Sequence, residues 1–290
     1  MVAKDFLQDP QVRQWLDGVE PAWTLLTFES LRALRQEPSA VQTAIRIAND
    51  LSADEIADSP VARNTLILLR QAIERGGLPL TATGNLSRAV VAEMCTLIEW
   101  PDYDQADAFR LNKVINEPDF LPLHIVRMLT QAATLVRAQR GKLVVTPLGK
   151  SMLSDVRQGS LLAILFHFAF WHMDLGYFGR GLLGSWPQAD AGVVIWSLSV
   201  CSNEWQTSEK LTRLCTIPEP AMFLGSWDRT PYAMEARVLR PLLWFGLLEQ
   251  RSEKIPDSRF VERHYYRKAA LFDRLFRFDV QMEFAEEPRH

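Results

Sequence analysis

Residues 123–153 read LHIVRMLTQAATLVRAQRGKLVVTPLGKSML, and this stretch carries most of the information about the fold. An apolar helical segment is followed by a basic hairpin that returns at Lys142, and a Thr146-Pro147-Leu148-Gly149 corner opens a further helix. Winged-helix domains have this order of a helix, a strand pair and a turn into another helix. The stretch therefore predicts a winged-helix-like unit.

Two other stretches share parts of this pattern. Residues 80–85 and 145–150 both consist of an apolar residue, Thr, two residues, Gly and a polar residue, at an offset of 65. A weaker third copy lies in residues 236–278. The alternative for the first copy is a common helix-capping turn. We predict a mainly α protein with two or three winged-helix-like units joined by helices, with short β-hairpin wings.

The length of 290 residues is enough for one large core or for two to three small ones, so a multi-domain organisation is a reasonable expectation. Residues 61–77 form an amphipathic pattern that a Gly-Gly pair ends, and Ser52 with Glu55 fits a capping box. We predict four consecutive segments: an acidic helical arm (1–58), a helical segment with the first winged-helix-like unit (59–157), an aromatic-rich helical segment and connector (158–232), and a second winged-helix-like unit with a tail (233–290).

Composition is that of an ordinary globular protein, with 48% apolar and 23% charged residues and a net charge of −3. Charge is unevenly spread: residues 1–60 have a net charge of −5, while 137–157 and 251–277 each have +4. The three cysteines form no CxxC pair, which indicates a reducing compartment. Neither a signal peptide nor a membrane-spanning apolar run is present in the sequence, so we expect a cytoplasmic protein without membrane contact.

The sequence offers no convincing catalytic, cofactor or metal motif. Gly149-Lys150-Ser151 lacks the earlier glycine of a phosphate loop, and the glycines of residues 179–184 lack the strand and helix of a dinucleotide site. His167 and His172 are five residues apart, which places them on different faces of a regular helix. We therefore predict a non-enzymatic protein with no catalytic residues, cofactor, metal site or small-molecule substrate.

The basic clusters are the candidate nucleic-acid-binding residues, because a wing lies along the phosphate backbone while the preceding helix enters the major groove. In the first unit, we expect the cations of the hairpin to contact phosphates and two side chains of the preceding helix, Arg127 and Gln131, to read bases. The alternative, equally supported, is a solvated charged face. The candidates are Arg127, Gln131, Arg137, Arg140, Lys142 and Lys150 on the first unit, and Arg259, Arg263 and Arg267 on the second.

The order GGLPLTATGNLSRAVV, TPLGKSML and VLRPLLWFGLLEQ resembles a little-characterised group of bacterial proteins found on plasmids and near mobile elements. The resemblance covers roughly residues 60–280. It implies a bacterial origin and winged-helix-like regions, and it transfers no functional residue.

We predict a binding protein that contacts DNA through its basic wings, in regulation or in a mobile-element or defence assembly. The alternative is a structural subunit that docks protein partners or forms a homo-oligomer, through an apolar surface built from Trp186, Trp196, Trp205 and Trp227. An enzyme with a site assembled from distant residues is the third possibility.

Overall fold

The computed structural model describes residues 7–38, 44–101, 103, 115–179, 181–224, 227–254 and 262–283. Its α-helices are α1 (Pro10–Leu16), α2 (Phe28–Leu34), α3 (Ala53–Ala57), α4 (Pro60–Glu74), α5 (Arg88–Leu97), α6 (Leu121–Ala132), α7 (Pro147–Ser151), α8 (Asp155–Gln158), α9 (Leu161–His167), α10 (Ala191–Cys201), α11 (Ser208–Cys215), α12 (Thr230–Met234), α13 (Arg240–Trp244) and α14 (Ala270–Leu275). Its strands are β1 (Ile45–Ile47), β2 (Leu78–Pro79), β3 (Val136–Gln139), β4 (Lys142–Val145), β5 (Gln206–Thr207), β6 (Leu248–Lys254), β7 (Glu262–Lys268) and β8 (Phe276–Phe278).

Short 3-10 helices and two π-helical turns complete these elements. The 3-10 helices span Ala22–Leu25, Glu117–Asp119, Leu175–Gly179, Gln188–Asp190 and Pro220–Phe223. The π turns, Phe168–His172 and Glu235–Leu239, follow α9 and α12 directly. Each π turn widens the helix locally, because its hydrogen bonds reach one residue further than those of an α-helix.

The chain folds into two compact units. The central unit contains residues 48–173 and 244–246, and the terminal unit contains residues 1–47, 174–243 and 247–290. Each unit is thus assembled from separate stretches of the chain. The four consecutive segments expected from the sequence stay a prediction.

The core of the central unit is built on α4, which begins after Ser59 and has Pro60 in its first turn. The helix ends at Glu74, and Gly76 and Gly77, with φ angles of 59° and 104°, reverse the chain into β2. Strand β2 pairs with β4, and β4 pairs with β3, all antiparallel. A layer of helices α4, α5 and α6 therefore packs beside a small three-stranded sheet.

The corner between β4 and α7 follows the sequence-based prediction. The Thr146 hydroxyl accepts a hydrogen bond from the Gly149 amide at 3.1 Å and donates one to the Thr134 carbonyl at 2.8 Å. A Cβ atom on Gly149 would lie 2.2 Å from the Leu135 carbonyl oxygen, so only glycine fits there. Residues 146–149 are thus a strand-to-helix corner. Residues 80–85, in contrast, form a turn that is closed by a β-bridge between Leu80 and Leu86.

In the terminal unit, α10 lies at the centre of the core, and its residues from Ala191 to Leu198 are all buried. Gly192 allows the carbonyl of Leu34 in α2 to approach closely, since a Cβ atom there would lie 2.0 Å from that oxygen. The indole of Trp23 donates to the Thr216 carbonyl at 2.9 Å. The N-terminal stretch is therefore an integral part of this core.

Two sheets complete the terminal unit. Strand β5 pairs with β7, and β7 pairs with β6, in the same order as β2, β4 and β3 of the central unit. Strands β1 and β8 form a separate two-stranded sheet in which Ile45 stands opposite Phe278. Residues 45–47 are thus hydrogen-bonded to residues 276–278, more than 200 residues later in the chain.

The fold class predicted from the sequence, mainly α with two or three winged-helix-like units, is wrong. About 54% of the structure is helical and about 15% is strand, and the strands form three small antiparallel sheets. The prediction omits β5, which is two residues long and shows no alternation. It also missed the β1–β8 sheet, which joins segments more than 200 residues apart.

Candidate nucleic-acid interface

The β3–β4 hairpin of the central unit presents three basic side chains to solvent. Its two-residue turn, Arg140-Gly141, has positive φ angles of 50° and 73°, which match the twist of the flanking strands. Arg137, Arg140 and Lys142 are exposed, and the hairpin sequence (136–145) contains no acidic residue. Within the described residues none of the three cations forms an ion pair. We call this element the basic hairpin.

A polar loop, residues 80–87, lies directly beside the basic hairpin. Because β2 pairs with β4, the Leu80 amide donates a hydrogen bond to the Gly141 carbonyl at the hairpin turn, at 2.8 Å. The loop closes on itself, since the Thr81 amide donates to the Asn85 carbonyl at 2.7 Å. Backbone hydrogen bonds therefore hold the loop and the hairpin turn in a defined arrangement.

The loop forms one wall of an open groove of about 650 Å³, which we call the polar groove. Seven of its nine lining residues are polar or charged, with hydroxyl, amide, guanidinium and carboxylate groups, and the first turn of the ten-residue helix α5 opens into it. Amides at a helix N-terminus favour anionic groups. The lining residues are Thr81, Thr83, Asn85, Leu86, Ser87, Arg88, Asn116, Pro118 and Asp119.

Two charged side chains lie in the polar groove. Arg88 donates from Nε to the Asn116 side-chain oxygen at 3.1 Å, which orients its guanidinium. Asp119 accepts hydrogen bonds from the amide and the side chain of Asn116, at 3.0 Å and 2.9 Å. The Asp119 carboxylate is thus hydrogen-bonded to Asn116 within the groove lining.

A buried charged cluster supports the groove from beneath. The Glu117 side chain is fully buried and accepts hydrogen bonds from the Leu86 amide (2.6 Å), Arg127 (3.0 Å) and His124 (3.1 Å). Arg127 also donates to the Gly84 carbonyl at 2.8 Å. We call Glu117, His124 and Arg127 the buried cluster, and it ties α6 to the polar loop at Gly84 and Leu86.

The buried cluster changes the ionisation of Glu117. Burial by itself raises the pKa of this carboxyl, but the hydrogen bonds from His124 and the Leu86 amide and the charge of Arg127 outweigh it. The net result is that the pKa of Glu117 lies below its ordinary value. The group is therefore a carboxylate at neutral pH and balances the Arg127 charge inside the protein.

The structure separates the predicted site residues of the central unit into two groups. Arg137, Arg140, Lys142, Lys150 and Gln131 are exposed. Arg127, predicted to read bases, is instead buried, with only 9% of its surface exposed and two of its nitrogens committed to Glu117 and Gly84. Its place in the structure is that of a positioning residue for the polar loop.

The second basic cluster is electrostatically different from the first. Arg267 forms an ion pair with Glu249 at 2.6 Å, and Arg263 stands opposite Glu253 in the β6–β7 hairpin. Trp205 packs against the guanidinium of Arg267 at 4.8 Å. The carboxylates of the same hairpin thus offset most of its positive charge, and Arg259 lies outside the described residues.

Sequence reasoning missed the polar groove. The stretch LTATGNLSR (80–88) contains the signal, a run of small polar residues between a strand and a helix. In the sequence this run indicates a turn into a helix and no binding site, and Asn116 and Asp119 come from a segment about 30 residues later. Only the folded chain brings these groups together.

Comparison with known proteins finds similarity in the same region. Residues 57–158 match the family described as the Y4jL N-terminal domain. A protein of Sinorhizobium fredii described as uncharacterized protein y4jL is 32% identical over 114 residues, which cover 39% of this chain and 51% of the relative. The chain thus spans about half the length of the curated relative it matches. No solved structure matches the chain.

These matches confirm the coarse part of the sequence-based resemblance, which is similarity to a little-characterised bacterial family. The matched range contains the basic hairpin, the polar groove and the buried cluster. Separately, among the helices in the described ranges none is long and apolar enough to cross a membrane. The cytoplasmic location stays a prediction.

Proposed function

We propose that the central unit binds duplex DNA by its phosphate backbone, through the basic hairpin and the polar groove. The observation that carries the proposal is the hydrogen bond between Leu80 and Gly141, which joins a hairpin of three exposed cations to a groove whose lining includes hydroxyl, amide and guanidinium groups. Hydroxyls, amides, guanidinium groups and helix N-termini are the protein groups that contact nucleic-acid phosphates.

Duplex binding is favoured over single-strand binding by the composition of the groove. Among the described residues, its lining includes no aromatic ring on which an unpaired base could stack. Since Arg127 is buried, Gln131 is the remaining base-reading candidate on α6. We therefore expect binding with little sequence preference, and a role in regulation or in a mobile-element or defence assembly is part of this proposal.

Salt dependence of binding tests the proposal quantitatively. Four cations at the site (Arg88, Arg137, Arg140 and Lys142) would release about four counterions, giving a slope near −3.6 for log affinity against log salt concentration. Affinity should then fall roughly 150-fold between about 50 mM and about 200 mM salt. The measurement is fluorescence anisotropy with a labelled duplex.

The variant with Arg137, Arg140 and Lys142 all changed to alanine should leave a slope near −0.9, and thus about a 3.5-fold loss over the same salt range. The matched control changes Arg32, Lys254 and Arg277, which are exposed cations of the terminal unit, to alanine. The control loses the same charge but should bind as the natural protein does. If DNA binding weakens equally in both variants, it is due to general charge attraction and does not depend on this site.

A second candidate function is protein docking by the terminal unit. The predicted tryptophan surface is only partly available, because Trp186 and Trp196 are buried while Trp227 is 56% exposed. Leu224, three residues earlier, is 87% exposed, which is unusual for so large an apolar side chain. Analytical ultracentrifugation of the natural protein and of a Leu224→Ser, Trp227→Ser variant tests this candidate function. An oligomer in the natural protein that the variant does not form would favour docking. A monomer in both would exclude docking between two copies of this chain.

A further inference from the structure

His167 and His172 meet at the π turn that follows α9. In a regular α-helix, side chains five residues apart point about 140° away from each other, which is the basis of the sequence-based expectation of different faces. That expectation is wrong, because the π turn Phe168–His172 accommodates one extra residue per turn. The Nε2 atoms of the two imidazoles lie 3.2 Å apart.

This separation fits two ligands of one metal ion. Zinc-to-imidazole bonds are about 2.0–2.1 Å long and the usual geometry is tetrahedral, so two nitrogen ligands of one ion lie about 3.3 Å apart. A hydrogen bond between two neutral imidazoles gives a similar distance, with one Nε2–H donating to the other Nε2. The metal-chelating pair and the hydrogen-bonded pair are distinguished by whether the two histidines bind an added metal ion.

Surrounding aromatic residues hold both rings in place. Trp171 stacks on the His167 ring, with ring centroids 5.7 Å apart and planes 24° apart, and Phe168 contacts the His172 ring at 5.0 Å. Between the two histidines, Ala169 and Phe170 are buried and anchor the turn in the core of the central unit. The rings therefore need little ordering before they bind an ion, which raises affinity.

The pair is also accessible. His172 is exposed and His167 is half-buried, so water molecules can reach an ion held between them. A regular α-helical turn at this position would separate the rings, and π turns inside helices are frequently found at functional sites. Chelation of a metal ion would be a function for this π turn.

We propose that His167 and His172 chelate one late first-row divalent transition-metal ion through their Nε2 atoms, with water completing the coordination. Imidazole nitrogens suit Zn²⁺, Cu²⁺ and Ni²⁺, whereas Mg²⁺ and Ca²⁺ need oxygen ligands. The site uses no residue of the basic hairpin or of the polar groove.

Isothermal titration of the whole protein with Zn²⁺, and with Mg²⁺ for comparison, tests the proposal. We expect one Zn²⁺ per chain and no Mg²⁺ binding. Because the second histidine binds an ion already held by the first, His167→Asn and His172→Asn should each lower Zn²⁺ affinity roughly 100-fold. The control is His264→Asn, on a half-buried histidine of the terminal unit that should leave affinity unchanged.

Cu²⁺ provides a spectroscopic check that does not depend on affinity. Electron paramagnetic resonance of the Cu²⁺ complex should show coupling to two imidazole nitrogens in the natural protein and to one in each single variant. Circular dichroism of the variants establishes that they fold. Equal Zn²⁺ affinity in the natural protein and folded His167→Asn, or no Zn²⁺ binding to the natural protein, would leave only a hydrogen bond between the imidazoles.

Discussion

Replacing Glu117 by glutamine should destabilise the central unit strongly. The carboxylate is fully buried, and it accepts hydrogen bonds from Arg127, His124 and the Leu86 amide. Glutamine has nearly the same shape but carries no charge and has a single acceptor oxygen. The buried Arg127 guanidinium would then lose its counter-charge while remaining in the interior.

The expected loss of stability follows from the burial of the ion pair between Glu117 and Arg127. Breaking a buried ion pair by removing one partner costs about 3–5 kcal/mol, because the remaining charge is uncompensated. The matched control is Glu93→Gln, which breaks the ion pair with Arg75 in the same unit, where both side chains are 38% exposed. An exposed pair contributes about 0–1 kcal/mol, so the two variants should differ in unfolding free energy by at least about 2 kcal/mol.

The contribution of Glu117 should also depend on pH in one direction. Its pKa in the folded protein is lower than its ordinary value of 4.5, so the folded state favours the carboxylate. The stabilisation is fully present above the ordinary pKa and is lost as pH falls through the lower, folded-state pKa. The stability gap between the natural protein and Glu117→Gln should therefore narrow on acidification below about pH 4.5.

Hydrogen–deuterium exchange measured by mass spectrometry suits a protein of two units, because it reports on each segment separately. Peptides covering the polar loop and α6 (121–132) should exchange much faster in Glu117→Gln and little faster in Glu93→Gln. The loosened loop should also weaken DNA binding. Similar exchange in the two variants, at neutral pH, would refute the view that the buried cluster stabilises the groove.

Two further predictions concern packing and thiol chemistry. Gly149→Ala would place a methyl group 2.2 Å from the Leu135 carbonyl oxygen. We therefore expect about 2–3 kcal/mol of destabilisation and a melting temperature roughly 5–10 °C lower. The control Leu148→Ala truncates a partly exposed side chain and should change the melting temperature little. Limiting iodoacetamide should label Cys201 before the two buried cysteines, because the hydrogen bond from Cys215 lowers the pKa of Cys201 while burial raises the pKa of the other two thiols. Peptide mass spectrometry measures the order, and equal labelling of all three thiols would contradict it.

Several local features could be predicted from the sequence because neighbouring residues make the decisive hydrogen bonds. Ser52 and Glu55 form the predicted capping box. The helix before Gly76 and Gly77 ends where the glycines indicate, since their positive φ angles suit no other residue as well. The predicted basic hairpin at 136–145 is present as well.

The candidate site could be predicted only in part. Exposure of Arg137, Arg140 and Lys142 follows from a hairpin turn that the sequence encodes locally. The burial of Arg127 could not be predicted, because its partner Glu117 lies ten residues earlier in a different element and the amphipathic pattern of α6 does not reveal it. The same holds for the groove, which joins residues 81–88 to residues 116–119.

By itself, the sequence determined the helix ends, the hairpin and the strand-to-helix corner at Gly149, because their hydrogen bonds close within a few residues. Only the tertiary structure decided the β1–β8 pairing, the buried cluster and the division into two units built from separate stretches. The π turn that joins His167 to His172 belongs to the same group, although its residues are adjacent in the chain. Phe170 is buried within this wider turn, whereas periodicity alone predicts a regular helix.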